Sequence, residues 1–212
     1  MLLEFSVLNY SSFRERAVLS LLPAALKGKS PEVDHRAQFL MADGRKVLKS
    51  AVLYGPNASG KSNLLGALAC MRSLVVNSAR EGQAGDGLGV EPFRLSTTTL
   101  DQPSEFEIVF VEEGVQYRYG FAATRTQVLR EWLFHRPKVR ESQLFEREGQ
   151  KFELTEVFKE GADLVKADKI RPDALLLSAA SAWNGAISKK IVEGWFRGRL
   201  RVVMGVNDHP AV

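Results

Sequence analysis

The residues best suited to chemistry are Gly55-Pro56-Asn57-Ala58-Ser59-Gly60-Lys61-Ser62, which satisfy G-x-x-x-x-G-K-[ST] in full. Each fixed position has a physical task. Gly55 and Gly60 permit backbone angles and close approach that a side chain forbids, so successive N–H groups can converge on one phosphate. Lys61 brings an ammonium to the β- and γ-phosphates, and the Ser62 hydroxyl is a ligand for Mg²⁺. A helix that starts there adds the positive end of its dipole. The pattern therefore predicts a nucleotide-binding loop.

Other chemistry is sparse. Cys70 is the only cysteine, which excludes an internal disulfide and a thiolate metal cluster, and its setting in "LLGALACM" reads as a small core residue. His35, His135 and His209 have no ligand spacing. His135 with Arg136, Lys138 and Arg140 makes a basic knot, read as a solvated loop with nucleic-acid contact as the alternative. Arg197, Arg199 and Arg201 lie at and beyond a predicted helix end, where cations complement the dipole. Trp132, Trp183 and Trp195 are expected to pack in cores.

The elements that must position the loop follow from periodicity. Residues 2–8 and 13–21 read as strands joined by "NYSS", and 23–46 as a loop with room for one strand. "VLKSAVLY", 47–54, is β-rich and reads as a buried strand leading into the loop. In 61–79, Leu64, Leu68, Met71 and Val75 share one helical face. A Gly-rich loop at 80–89 follows, and then the period changes to two. Phe106, Ile108 and Phe110 alternate with polar residues, as do Val115, Tyr117, Tyr119 and Phe121, and the pattern continues to about residue 154, predicting an antiparallel meander of some five strands. Pro172 can open a helix over "PDALLLSAASA", Ile187, Ile191 and Trp195 mark another, and "RLRVVMGV" reads as a strand. With 212 residues, 45% apolar and 25% charged, the chain fits one good-sized domain with a core. The net charge of +4 permits contact with nucleic acid without arguing for it. The N-terminus is no signal peptide and no run approaches the ~18 apolar residues of a membrane helix, so the expectation is a cytoplasmic protein without a membrane partner.

A small nucleotide or metabolite kinase usually carries its P-loop after the first strand and continues in alternating β and α units, unlike this chain. A small GTPase needs an N-K-x-D motif, which the sequence lacks. The order strand, turn, strand, P-loop, helix, β lobe instead resembles the ATPase heads of the SMC, RecF and OLD kind. More narrowly, it resembles the bacterial AAA/ABC-type ATP-binding proteins associated with phage defence and abortive infection. "LLEFSVLNYSSF", "LYGPNASGKSNLL", "PFRL" with "FEIVFVEEGVQYRYGF" and "LREWLF", and "ALLLSAASAWN" carry the likeness.

The resemblance implies an α/β P-loop NTPase fold, an ABC-type head with an inserted antiparallel β lobe. Residues 1–100 would supply the first strands, P-loop and helix, 101–160 the lobe, and 161–212 a helical segment ending in a strand, as an incomplete, truncated head. It further implies ATP and Mg²⁺ as cofactors, with Asn57 facing the γ-phosphate side and Asn63 beside the Mg²⁺-ligating Ser62. Ser11 stands where relatives carry a basic residue that touches the nucleotide, and Arg14 is the substitute. Hydrolysis by such a head needs an acidic pair after an apolar strand and a signature loop. "LRVVMGVND" is interrupted by Gly205 and Asn207, and Asp208 has no acidic neighbour; "LSAAS", 177–181, lacks the glycines of an LSGG-type loop, and no Q-loop glutamine occurs near it. The catalytic residues are thus unassigned. Implied partners are a second copy in a homodimer or larger assembly, a nuclease or other effector, and nucleic acid. Two other readings stand beside the switch-like ATPase: a non-hydrolysing P-loop interaction module, and a small P-loop kinase.

Overall fold

A computed structural model describes residues 1–24, 36–41, 43–79 and 87–204. Its centre is a seven-stranded antiparallel sheet. The strands are β1 (Leu2–Leu8), β2 (Ala17–Ser20), β5 (Ser104–Glu112), β6 (Val115–Ala123), β7 (Val128–Arg136), β8 (Ser142–Glu148) and β9 (Lys151–Leu154), in spatial order β2-β1-β5-β6-β7-β8-β9. A separate hairpin pairs β3 (Gln38–Leu40) with β4 (Lys46–Leu48). The helices are α1 (Lys61–Asn77), α2 (Ala162–Lys166), α3 (Leu176–Ala182) and α4 (Ala186–Lys189), the last running into a π-helical stretch, Lys190–Arg197.

The five-strand meander is present as its alternation requires. Phe106, Ile108 and Phe110 all point inward and face Phe121, Tyr119 and Tyr117 across the strand pair. On that inner face lie Leu64, Leu68, Met71 and Val75 of α1, all buried, together with Trp195, which stacks on Phe110 at 4.1 Å between centroids. On the outer face Trp132 lies across Gly120, where a Cβ would collide with the indole, and its Nε1 donates to Glu107 at 2.8 Å.

Several expectations need correction. β1 pairs with β5 from Leu2↔Phe110 to Leu8↔Glu105, a long-range pairing that the periodicity did not predict. The second strand is only Ala17–Ser20. The strand expected over 47–54 stops at Leu48, and Val52, Leu53 and Tyr54 are exposed. Pairing, not propensity, makes a strand, and no partner for 51–54 occurs among the described residues. Residues 201–204 are likewise not a strand, and Gly205, Asn207, Asp208, His209 and the stretch 80–86, with His35, lie outside the described residues. Trp195 is buried, but Trp132 is half-buried and Trp183 is 65% exposed under Lys169.

The helix expected from Pro172 starts at Leu176 instead. Its first amides are satisfied by a carboxylate distant in sequence: Glu131 of β7 accepts from Leu176 N at 2.7 Å and Leu177 N at 3.0 Å. Tyr119 Oη donates to the same carboxylate at 3.0 Å, and the Arg147 guanidinium lies 3.6 Å away. Burial pushes the Glu131 carboxyl up from its usual range, while Arg147, the two amides and Tyr119 pull it down. Burial also holds the Tyr119 hydroxyl well above its ordinary value, so it stays a donor.

Cys70 packs against the core as expected, and burial raises its thiol to about 11. Against an ordinary value of 9.0 that is about a hundredfold less thiolate near neutral pH. Iodoacetamide should therefore label the folded chain on the order of a hundredfold more slowly than the urea-unfolded chain, followed by mass spectrometry at pH 8. Equal rates would place the thiol in water.

Candidate nucleotide-binding site

The loop 55–60 leads into α1 through a sharp change of backbone. Ala58 has φ 65° and Gly60 φ 91°, both left-handed, and Gly60 is the residue before the first helical position. Leu64 N donates to Gly60 O at 3.0 Å, which starts the helical ladder. A Cβ on Gly55 would meet Ser59 Oγ at 2.5 Å, and one on Gly60 would meet Ser12 Oγ at 3.1 Å and the Phe13 ring at 3.3 Å. Gly60 is required by its φ, and a side chain at either glycine would crowd its neighbours.

The lysine of the motif folds back onto its own loop. Lys61 Nζ donates to Gly55 O and Pro56 O, each at 2.7 Å, and to Ser59 Oγ at 3.3 Å. The ammonium thus sits over the loop itself, held by acceptors weaker than phosphate oxygens. Asn57 and Ser62 are exposed beside it. No acidic side chain stands in the first turn of α1, so nothing there repels a polyanion. The donor set fits a nucleotide triphosphate with Mg²⁺: glycines that leave room, a lysine, a helix N-terminus and the Ser62 hydroxyl. No cluster of three or more His, Cys, Asp or Glu that could hold a metal occurs among the described residues.

The "NYSSF" turn braces this loop, a contact that spacing alone did not reveal. Tyr10 and Phe13 exchange backbone hydrogen bonds at 2.9 and 2.8 Å, and Ser11 N donates to Glu91 O at 2.7 Å. Asn63 Nδ2 donates to Ser12 Oγ at 2.8 Å. Asn63 therefore ties α1 to the turn in this structure. Arg14 extends from the same turn, exposed, with Glu15 at 3.7 Å.

The remaining candidates separate from the site. Leu177, Ser178, Ala179, Ala180 and Ser181 are buried in α3, where they cannot cap a nucleotide on another molecule. His135 and Arg136 end β7, with Lys138 and Arg140 exposed in the following loop. Arg197 pairs with Glu193 at 3.0 Å and Arg199 with Glu112 at 3.3 Å, so both are structural ties; Arg201 is exposed. No helix among the described residues is long and apolar enough to cross a membrane.

Comparison with known proteins finds a family. The family model described as "AAA domain, putative AbiEii toxin, Type IV TA system" matches residues 50–203, a span that opens just before the P-loop and takes in the lobe and the helices behind it. No curated protein matches the chain. The chain belongs to this family of AAA-type P-loop ATPases, of the bacterial abortive-infection and phage-defence kind.

Proposed function

We propose that the chain is the ATP- and Mg²⁺-binding part of an ABC-type ATPase head that works as a nucleotide-driven switch in bacterial defence. The observation that carries this reading is Lys61, whose ammonium rests on Gly55 O and Pro56 O within the G-x-x-x-x-G-K-S loop. Phosphate oxygens would take over those two contacts as stronger, charged acceptors. Gly60 and Lys61 amides would face the phosphates, Ser62 would supply a hydroxyl to Mg²⁺, and Asn57 and Asn63 would flank them. Bound Mg²⁺ would neutralise charge on the phosphates. In this reading Arg14, exposed on the bracing turn, substitutes for the basic residue that relatives carry at the position of Ser11.

Exposed Val52, Leu53 and Tyr54 support the head reading. An apolar strand sequence leading into a P-loop, yet in contact with water, calls for neighbouring strands. In this reading further strands, from a continuation of the head or from another subunit, cover it and bring the acidic residues that hydrolysis requires. The chain as described then binds nucleotide without turning it over.

Calorimetric titration with Mg·ATP, wild type beside Lys61→Ala, tests this, with phosphate release followed on the same samples. Loss of two charge-assisted contacts should weaken binding by at least about tenfold, with no release from either protein. Equal affinity in the two proteins would remove the nucleotide reading and leave a P-loop scaffold for protein interaction. Phosphate transfer to a metabolite would favour a kinase.

A further inference from the structure

A cavity of about 410 Å³ lies apart from the P-loop, between the β3–β4 hairpin, the N-terminus and the end of β7. Its floor is apolar. Phe39 lines it while 50% exposed, with Met1, Met41 and Val111 beside it. An aromatic ring left half in water at the bottom of a groove is surface that gains by being covered.

The rim is cationic. Arg45, Arg136 and Lys138 line the groove against one carboxylate, Asp43. Arg45 is committed, donating through Nε to Asp43 at 2.7 Å and through Nη2 to Gln116 at 2.7 Å. Arg136 is held more loosely: its Nε is buried and has no hydrogen-bond partner, and its Nη2 makes only a long ion pair, 3.6 Å, with the Asp43 carboxylate that Arg45 already binds. Among the described residues Lys138 forms no ion pair. A planar guanidinium fork without hydrogen bonds, next to a free ammonium and above an apolar floor, matches a carboxylate attached to an apolar chain.

We infer that this groove docks an acidic segment of a partner protein. One apolar side chain of the segment covers Phe39, and a neighbouring Asp or Glu pairs with Arg136 and Lys138. Nucleic acid fits less well, because a phosphate backbone would neutralise the rim and leave the apolar floor uncovered. The inference stands independently of the nucleotide reading, since no P-loop residue lines the groove.

The test is selection from a random-peptide phage library on the full chain, repeated on Phe39→Ser, Arg136→Gln and Lys138→Glu. Lys138 is exposed, so that variant keeps the fold even where the other two perturb it. Enriched peptides should place an apolar residue next to Asp or Glu. The synthesised consensus peptide should bind wild type and bind each variant at least about tenfold more weakly in fluorescence anisotropy. The inference is overturned by any of four results: no enrichment; peptides that bind Lys138→Glu as well as wild type; displacement of the peptide by a thymidine oligonucleotide that itself binds through Arg136 and Lys138; or sedimentation showing that the groove is the contact between two copies of this chain.

Discussion

Glu131→Ala should lower the stability of the chain by about 3–5 kcal/mol in urea denaturation, the cost typical of breaking a buried ion pair from one side. The Arg147 side chain paired with it is fully buried, so it would keep its charge with no carboxylate to oppose it. Arg147 still donates to Gly149 O, Ala174 O and Arg171 O, which limits but does not replace the loss. The amides of Leu176 and Leu177 and the Tyr119 hydroxyl would lose their acceptor in the same step, opening the start of α3. A double variant, Glu131→Leu with Arg147→Met, should recover part of the loss because no unpaired charge remains. If the single change cost less than about 1 kcal/mol, as an exposed pair does, the carboxylate would not be the cap that holds helix to sheet.

That carboxylate also marks where sequence reading reached its limit. The meander and α1 could be read because their burial repeats every two or every 3.6 residues, a local property. The phosphate loop could be read because its residue types have no other common use at that spacing. The start of α3 could not, because its cap comes from β7, 45 positions away in the chain. Pro172 offered a local signal for the same helix, and the distant carboxylate prevailed. The pairing of β1 with β5 was hidden for a similar reason, since about a hundred residues separate the two. In the segment before the P-loop, 51–54, local propensity pointed to β, but a strand also needs a neighbour to bond with. Asn63 was found through its place beside Ser62, but its partner Ser12 was not, being brought there by the turn after β1.

Gly60→Val should abolish measurable Mg·ATP binding while costing only a few kcal/mol of stability. The residue sits at φ 91°, where a β-branched side chain is strained by about 1–3 kcal/mol. Its Cβ would also press on Ser12 Oγ and on the Phe13 ring, part of the turn that braces the loop. Phe13 packs against the core, which limits how far the ring can yield, so the strain at φ 91° falls on the chain at residue 60. Leaving that φ turns the following amides away from the loop centre, and with them the start of α1 and the setting of Lys61. Several charge-assisted hydrogen bonds are then lost together, each worth about 1.5–3 kcal/mol, so the affinity falls by more than about a hundredfold. Gly149→Val is the control: its φ is 57°, also left-handed, but nothing lies within 4 Å of its Cβ. It should lose comparable stability and keep wild-type affinity. Nucleotide binding that survived in Gly60→Val, or that fell equally in Gly149→Val, would mean that the loop's backbone does not cradle the phosphates and that affinity follows overall stability instead.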